Sequence, residues 1–158
     1  MNMKLALASI EDRNIIKNLM QYYIYDFSEY IHCDVEEDGL FAAYSHLDAY
    51  WGEENRFPYI ITQDEQYAGF VLVRYIASTT RNYFSIAEFF IMKKYRRQGI
   101  GKGVAQQIFD LHKGPWEVYQ KESNKPAQIF WNKVINEYTD GHYEDRLENG
   151  KRIQDFES

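Results

Sequence analysis

The residues from Glu88 to Gly103 place an apolar segment, a basic turn and three glycines in immediate succession, and an amphipathic segment follows them. A chain with this order is expected to fold as a strand, a tight turn and a helix. Glycine lets the backbone approach a ligand closely, and the free N–H groups at the start of a helix favour anionic oxygens. Arg96, Arg97 and Lys102 add positive charge at the same point. The stretch therefore predicts a site for a di- or triphosphate ester.

The spacing of the glycines separates this turn from two better-known phosphate-binding loops. Gly99, Gly101 and Gly103 do not fit the G-x-G-x-x-G pattern of dinucleotide-binding folds, and Lys102 lacks the following Ser or Thr of an NTPase loop. Residues 96–101, Arg-Arg-Gln-Gly-Ile-Gly, resemble instead the acetyl-CoA signature Q/R-x-x-G-x-G/A of the GNAT N-acetyltransferase superfamily. This resemblance implies a GNAT-like fold with acetyl-CoA as co-substrate.

A second motif lies at the distance that the family shows from the first. Asn124, Ala127, Phe130 and Trp131 are similar to the GNAT landmark in which an asparagine opens the helix after the fifth strand and touches the cofactor. Asn124 is also a good N-cap residue, and the two roles are compatible.

The resemblance implies which residues contact the cofactor. The main chain of a splayed strand would bind the pantetheine arm as an added strand would, and the amides of the glycine turn would hold the pyrophosphate. The side chains of the strand segment are expected to be ordinary core residues. The implied cofactor contacts are Phe90, Ile91, Met92, Arg96, Arg97, Gln98, Gly99, Ile100, Gly101, Lys102 and Asn124.

Glu88 is the candidate catalytic residue. It directly precedes the pantetheine segment, where several members of the family place a carboxylate that removes a proton from the acceptor amine. Burial between apolar neighbours would raise its pKa, which suits a general base. A solvated or ion-paired strand residue is the alternative interpretation, and the sequence does not decide between the two.

Trp131 marks a departure from the family, which often has a tyrosine at this position as the general acid for the CoA thiolate. An indole N–H donates a hydrogen bond but does not release its proton near neutral pH. The proton for the CoA thiolate would then come from another group or from solvent, or the thiolate would leave without a general acid.

The segment from Asn18 to Asn55 contains nine Asp and Glu residues and no Lys or Arg. In a GNAT-like fold this segment flanks the acceptor side, so we expect a cationic acceptor, such as an amine on a small molecule or a peptide. Tyrosine faces and carboxylates bind ammonium groups, although most tyrosines of this segment are expected in the core and an acidic run is more often a solvated surface. The predicted acceptor contacts are Tyr25, Tyr30, Glu36, Glu37 and Trp131.

Composition excludes several other classes of protein. The length of 158 residues and the absence of linkers or repeats predict one domain over residues 1–158. The net charge of −6 argues against nucleic acid as a partner, and no apolar run has the length of a membrane span. The single Cys33 and the scattered histidines predict no metal site. We therefore expect a cytoplasmic protein, and the oligomeric state, including a homodimer, stays open.

The patterning predicts the element order β-α-α-β-β-β-α-β-α-β-β, typical of an α/β (α+β) fold with a mixed, mostly antiparallel twisted sheet and helices on both faces. The second helix is predicted from Gly39 to Trp51. Hairpins are predicted at 63–66 and around Asn149 and Gly150, and the helix after the glycines carries an apolar stripe. The predicted stripe is Val104, Ile108 and Leu111.

Together these features predict an acetyltransferase that moves an acetyl group from acetyl-CoA to a primary amine by direct attack, because no activated Ser or Cys nucleophile is visible. The alternative is a catalytically silent acyl-CoA-binding or interaction module, which retains the glycine turn and needs no base. Binding of RNA by the basic turn is disfavoured by the overall charge.

Overall fold

The fold is a seven-stranded sheet with three α-helices, seen in a computed structural model that describes residues 2–158. The sheet order is β1-β2-β3-β4-β5-β7-β6, and every neighbouring pair is antiparallel except β4 and β5, which are parallel. The predicted fold class is confirmed. The elements are β1 (Met3–Leu7), α1 (Arg13–Ile31), β2 (Arg56–Gln63), β3 (Gln66–Ala77), β4 (Asn82–Ile91), α2 (Ile100–Leu111), β5 (Pro115–Lys121), α3 (Lys125–Thr139), β6 (Glu144–Glu148) and β7 (Lys151–Glu157).

Two apolar cores hold helices to the two faces of the sheet. On one face, Met20 of α1 and Tyr50 of a short 3-10 helix pack against Phe70 and Leu72 of β3. On the other face, α2 and α3 pack against Val71 and neighbouring strand residues. From Phe70 to Val73 the side chains of β3 alternate between the two cores, as a strand covered on both faces requires.

Tight two-residue turns close both predicted hairpins. Asp64 and Glu65 have φ values of 48° and 68°, and Asn149 and Gly150 have 52° and 75°. Two successive positive φ angles give the type I′ geometry that matches the twist of paired strands. The hairpin predictions are confirmed at both positions.

The predicted helix from Gly39 to Trp51 is wrong. Only Leu47–Trp51 is helical, and it forms a 3-10 helix. Gly39 and His46 have φ values of 80° and 63°, which interrupt a right-handed helix. The Gln21 side chain binds the backbone N–H and C=O of Phe41 instead, at 2.9 and 3.0 Å. Tertiary contacts thus override the apparent helical period.

The apolar stripe of α2 is also corrected at one position. Val104 and Ile108 are buried as predicted, whereas Leu111 is 59% exposed at the end of the helix. Ala105 and Phe109 complete the buried face instead.

A bulge in β4 sets the direction of the residues that follow it. Leu72 pairs with Glu88 and Val73 pairs with Ile86, so Ala87 has no partner on β3. The extra residue moves the Glu88 side chain to the face that carries α1, together with Phe90.

Gly69 should be required for the register of β3 and β4. A Cβ atom at this position would lie 1.9 Å from the carbonyl oxygen of Phe90. We expect Gly69→Ala to lower the free energy of unfolding by about 3 kcal/mol, measured by urea denaturation. Gly52→Ala is the matched control, because its nearest neighbouring atom is 3.9 Å away. Equal stability of the two variants would contradict this account of the strand pairing.

Candidate active site

The sheet opens between β4 and β5. The only residue pair that joins the two strands within residues 2–158 is Phe84 with Trp116, at the start of each strand. Beyond it the strands separate, so the β5 side of β4 has no strand partner over its second half. Backbone groups there, apart from the Ile91 carbonyl that accepts from Arg96, are free to bind an extended ligand as another strand would.

The pairing of β3 and β4 determines which backbone groups face this opening. The Met92 N–H donates to the Ala68 carbonyl at 2.8 Å, and antiparallel pairing alternates from residue to residue. The backbone N–H and C=O groups of Phe90 therefore point towards β3, and those of Phe89 and Ile91 point towards the opening. Of the predicted pantetheine contacts, Ile91 therefore lies with its backbone towards the opening, whereas the main chains of Phe90 and Met92 are engaged by β3 and the following turn. Phe89, which was not among the predicted contacts, also faces the opening.

The glycine turn presents a row of unsatisfied amides. The N–H groups from Arg97 to Lys102 have no acceptor within residues 2–158, and the first helical bond of α2 is that from Gly103 to Gly99. Arg97 and Gly99 have φ values of 62° and 79°, a left-handed conformation that turns the amides outwards. A Cβ at Gly99 would meet nothing within 4 Å. The turn is thus an open cradle for anionic oxygens.

The side chains of Arg96 and Lys102 do not face the cradle as predicted. The Arg96 guanidinium binds Asp26 of α1 and the Ile91 carbonyl, each at 2.7 Å. The Lys102 ammonium pairs with Glu137 of α3. Both cations are thus paired with acceptors of the protein itself. Arg96 in particular ties α1 to the end of β4.

Close packing positions the start of α2. A Cβ at Gly101 would lie 3.1 Å from the ring of Phe130 on α3. Asn124 caps α3, since its side-chain oxygen accepts from the Ala127 N–H at 3.2 Å, as predicted. Gly101 is therefore needed for the close packing of α2 against α3.

Glu88 is mostly buried on the α1 face, three residues before Ile91. Its Oε2 atom is buried and has no hydrogen-bond partner within the described chain. Burial raises the pKa of the carboxyl to about 7, and the nearby Tyr23 hydroxyl lowers it in part. The group can therefore accept a proton near neutral pH.

Four tyrosines lie within range of the charge of this carboxylate. Burial raises the pKa of Tyr23, Tyr44 and Tyr119, and the charge of Glu88 adds to each rise. Tyr50 is 3% exposed, and its hydroxyl has no hydrogen-bond partner among residues 2–158. Tyr44, Tyr50 and Tyr119 could not be predicted from the sequence as neighbours of Glu88, because they come from a loop, a 3-10 helix and β5, and no local pattern links them.

The predicted acceptor contacts are mostly separated from Glu88. Tyr25 is 69% exposed on the outer side of α1, and the Tyr30 ring lies tilted beside that of Phe27 on the same helix. Trp131 is buried in the core on the opposite face, with its ring 4.9 Å from that of Phe89. Tyr25 therefore faces solvent, and Trp131 lies in the core on the face of the sheet opposite Glu88.

Glu36 and Glu37 are exposed in the loop after α1. Glu36 lines a groove of about 550 Å³ between α1 and residues 38–48, and Tyr44 links this groove to the surroundings of Glu88. Glu36 and Asp38 thus line this groove together with the cations Arg13 and Lys17, whereas Glu37 does not line it.

The acidic segment is partly neutralised by basic residues from elsewhere in the chain. Asp26 pairs with Arg96, Asp48 with Arg13 and Glu53 with Arg56. The carboxylates of residues 34–38 have no basic partner within the part of the chain that the structure describes. The negative charge of the segment is therefore concentrated in this loop.

No His, Cys, Asp and Glu side chains between residues 2 and 158 group in a way that would hold a metal ion. None of the helices in the same range has the length and apolar character needed to cross a membrane.

Solved structures of low sequence identity share this fold. An acetyltransferase from Thermus thermophilus superimposes with a TM-score of 0.75 at 8% identity, over 100% of this chain and 98% of that one. The PaiA N-acetyltransferase of Thermoplasma acidophilum, in complex with coenzyme A, gives a TM-score of 0.67 at 14% identity, with both chains covered fully. Arabidopsis thaliana NAA60, in complex with a bisubstrate analogue, gives 0.66 at 10% identity over 99% and 98% of the two chains.

Sequence comparison gives the family. No curated protein sequence matches significantly. The model of the acetyltransferase (GNAT) family matches residues 15–135, which include α1, the bulged strand, the glycine turn and most of α3. The protein belongs to the GNAT acetyltransferase family.

Proposed function

We propose that the protein transfers the acetyl group of acetyl-CoA to a primary amine by direct attack within a ternary complex. The observation that carries the proposal is the buried, unpartnered Oε2 of Glu88 on the strand that borders the opening. A silent acyl-CoA-binding module needs the glycine turn but has no use for a buried carboxylate without a partner. Such a group is costly to retain unless it serves the reaction.

The cofactor and the acceptor amine would bind on two different sides of β4. The outward amides from Arg97 to Lys102 would hold the pyrophosphate of the cofactor, and the main chain of Phe89 and Ile91 would bind its pantetheine arm. The free Ile91 N–H would stabilise the negative charge that develops on the thioester oxygen. The amine would approach from the α1 face, where the Glu88 side chain lies.

Glu88 would act as the general base. The acceptor ammonium first loses one proton to solvent. The neutral amine nitrogen then attacks the thioester carbonyl and passes a second proton to the Glu88 carboxylate, directly or through water. Collapse of the tetrahedral intermediate breaks the C–S bond and releases CoA as a thiolate, which takes a proton from solvent. The products are the N-acetylated amine and CoA. This scheme requires no acid from Trp131, whose indole lies in the core.

A thiol-detection assay with acetyl-CoA and a panel of amines tests the proposal. Amine-dependent release of CoA, with the acetylated amine identified by mass spectrometry, would support it. CoA binding without any amine-dependent release would favour the silent module.

The acceptor would enter as an ammonium ion drawn by the acidic loop. Neutralising this loop by Glu36→Gln, Glu37→Gln and Asp38→Asn should raise the acceptor KM about 3- to 10-fold and leave the acetyl-CoA KM nearly unchanged. Added salt should weaken the effect, since screening acts over about 8 Å at physiological ionic strength. The measurement is steady-state kinetics at two salt concentrations.

A control variant tests whether the effect depends on the position of the charge. It carries Gln at Glu11, Glu144 and Glu157, three exposed carboxylates that have no ion pair in the described chain. If the acceptor KM changes equally in both triple variants, or in neither, the loop does not attract the acceptor and is only a solvated surface.

A further inference from the structure

Arg74 is a cation without an internal partner on the face of the sheet that carries Glu88. Residues 2–158 provide no carboxylate within ion-pair distance of its guanidinium. The residue is half-buried in the middle of β3. A guanidinium has five N–H donors and is costly to bury without acceptors, so its position requires an explanation.

The strand register places Arg74 close to the proposed base. Glu88 pairs with Leu72, and Arg74 is the next residue of β3 on the same face. Diagonal neighbours of this kind lie roughly 8 Å apart at their backbones. A small ligand that contacts Glu88 is thus within reach of the long Arg74 side chain.

Tyr50 and Tyr119 connect the two charged groups. The hydroxyl of Tyr50 is buried and unpartnered, as is Oε2 of Glu88. Burial raises the pKa of both tyrosines, Glu88 adds to the rise and Arg74 opposes it; at Tyr50 the guanidinium of Arg56, 5.3 Å from the ring, opposes the rise more strongly. This region therefore contains the Glu88 carboxylate, the Arg74 guanidinium and the unpaired Tyr50 hydroxyl. The cross-strand neighbour of Arg74, Arg56, is already paired with Glu53. Tyr44 also lines the groove that contains Glu36 and Asp38.

We propose that the acceptor carries a carboxylate close to its amine, as an amino acid does, and that Arg74 binds this carboxylate while Glu88 receives the proton of the amine. The inference rests on the proposed function and specifies its acceptor. The acidic loop would attract the ammonium end, and Arg74 would orient the opposite end. A dipolar acceptor matches this arrangement of charges, whereas a diamine would leave Arg74 unpaired. Arg74 is thus a specificity-determining residue of the acceptor site.

The test compares amino acids with their carboxamides, which retain the amine and lose the anionic charge. Wild-type protein should use the amino acid at least about 10-fold better in kcat/KM. Arg74→Gln should reduce kcat/KM for amino acids about 10- to 100-fold, mainly through KM, and should change the values for carboxamides by less than about 3-fold. Arg74→Lys should restore part of the preference, because an ammonium retains the charge but not the bidentate geometry.

Arg152→Gln is the matched control, since the Arg152 guanidinium is already paired with Asp145 on β6 at 2.6 Å. It should retain the wild-type preference. CoA affinity, measured by calorimetry, should be the same in all these variants, which shows that they are folded.

A second measurement separates this inference from the proposed function. A thermal-shift titration of the CoA-loaded protein with the same pairs reports acceptor binding without turnover. Stabilisation by amino acids but not carboxamides, lost in Arg74→Gln, would support the inference even where no acetyl group is transferred. Equal responses to both members of each pair, or a better response to diamines, would overturn it. Absence of amine-dependent CoA release would overturn the proposed function alone.

Discussion

Glu88→Gln should lower kcat by about 100- to 10,000-fold at neutral pH and leave the affinity for acetyl-CoA nearly unchanged. Glutamine retains the shape and hydrogen-bonding capacity of the side chain but cannot take the proton of the amine. In the wild-type protein kcat should rise with pH through about 7, because the pKa of Glu88 is raised to about 7 by burial. The variant should lose this dependence. The measurement is a pH–rate profile of both proteins with one good acceptor.

The same substitution should have the opposite effect on stability. The folded protein holds the Glu88 proton up to about pH 7, whereas a glutamate in the unfolded chain releases it near its ordinary pKa of 4.5. The folded state therefore binds more protons between these values, so this group lowers the free energy of unfolding as pH rises through that window. Glu88→Gln should accordingly be more stable than the wild type at pH 8, by on the order of 1–3 kcal/mol.

Urea denaturation at pH 5 and pH 8 measures this difference. Loss of activity together with a gain in stability at pH 8 is not expected of a residue that only supports the fold. Full turnover of Glu88→Gln, or an unchanged pH profile, would assign the proton transfer to another group or to water.

Gly99→Glu should abolish binding of CoA and acetyl-CoA. Gly99 has a φ of 79° and faces open space, in the middle of the row of amides that would hold the pyrophosphate. A glutamate side chain would occupy that space and bring a negative charge towards the phosphates. We expect a loss of affinity of at least about 100-fold by calorimetry, combining lost amide contacts with like-charge repulsion.

Gly150→Glu provides the matched control. Gly150 has a φ of 75° and also faces open space, but it lies in the turn between β6 and β7. The two substitutions carry a similar backbone cost, because both force a side chain into the left-handed region. Gly150→Glu should retain CoA affinity. Unchanged affinity in a folded Gly99→Glu variant would place the cofactor elsewhere.

Features encoded by neighbouring residues could be predicted from the sequence. The turn at Asn149 and Gly150, the cap at Asn124 and the glycine turn depend on backbone preferences within a few residues. The family signature identified the fold for the same reason, since its residues are contiguous.

Features assembled from distant segments could not be predicted. The Arg96 side chain was expected at the phosphates, but an aspartate 70 residues earlier binds it. The bulge at Ala87 moves the Glu88 side chain to the other face of the sheet, and no residue type in the sequence predicts a bulge at this position. The surroundings of Glu88 come from α1, a loop, a 3-10 helix and two strands, so only the folded chain shows them.

The separation of β4 and β5 gives the sheet two internal edges in addition to the outer edges at β1 and β6. Exposed strand edges are templates for pairing with other chains, and proteins usually protect them with charges, bulges or covering segments. In this fold, a cofactor bound between β4 and β5 would cover the two internal edges. The substrate of the reaction would then also protect the fold against strand-mediated aggregation, and depletion of acetyl-CoA and CoA would expose the edges.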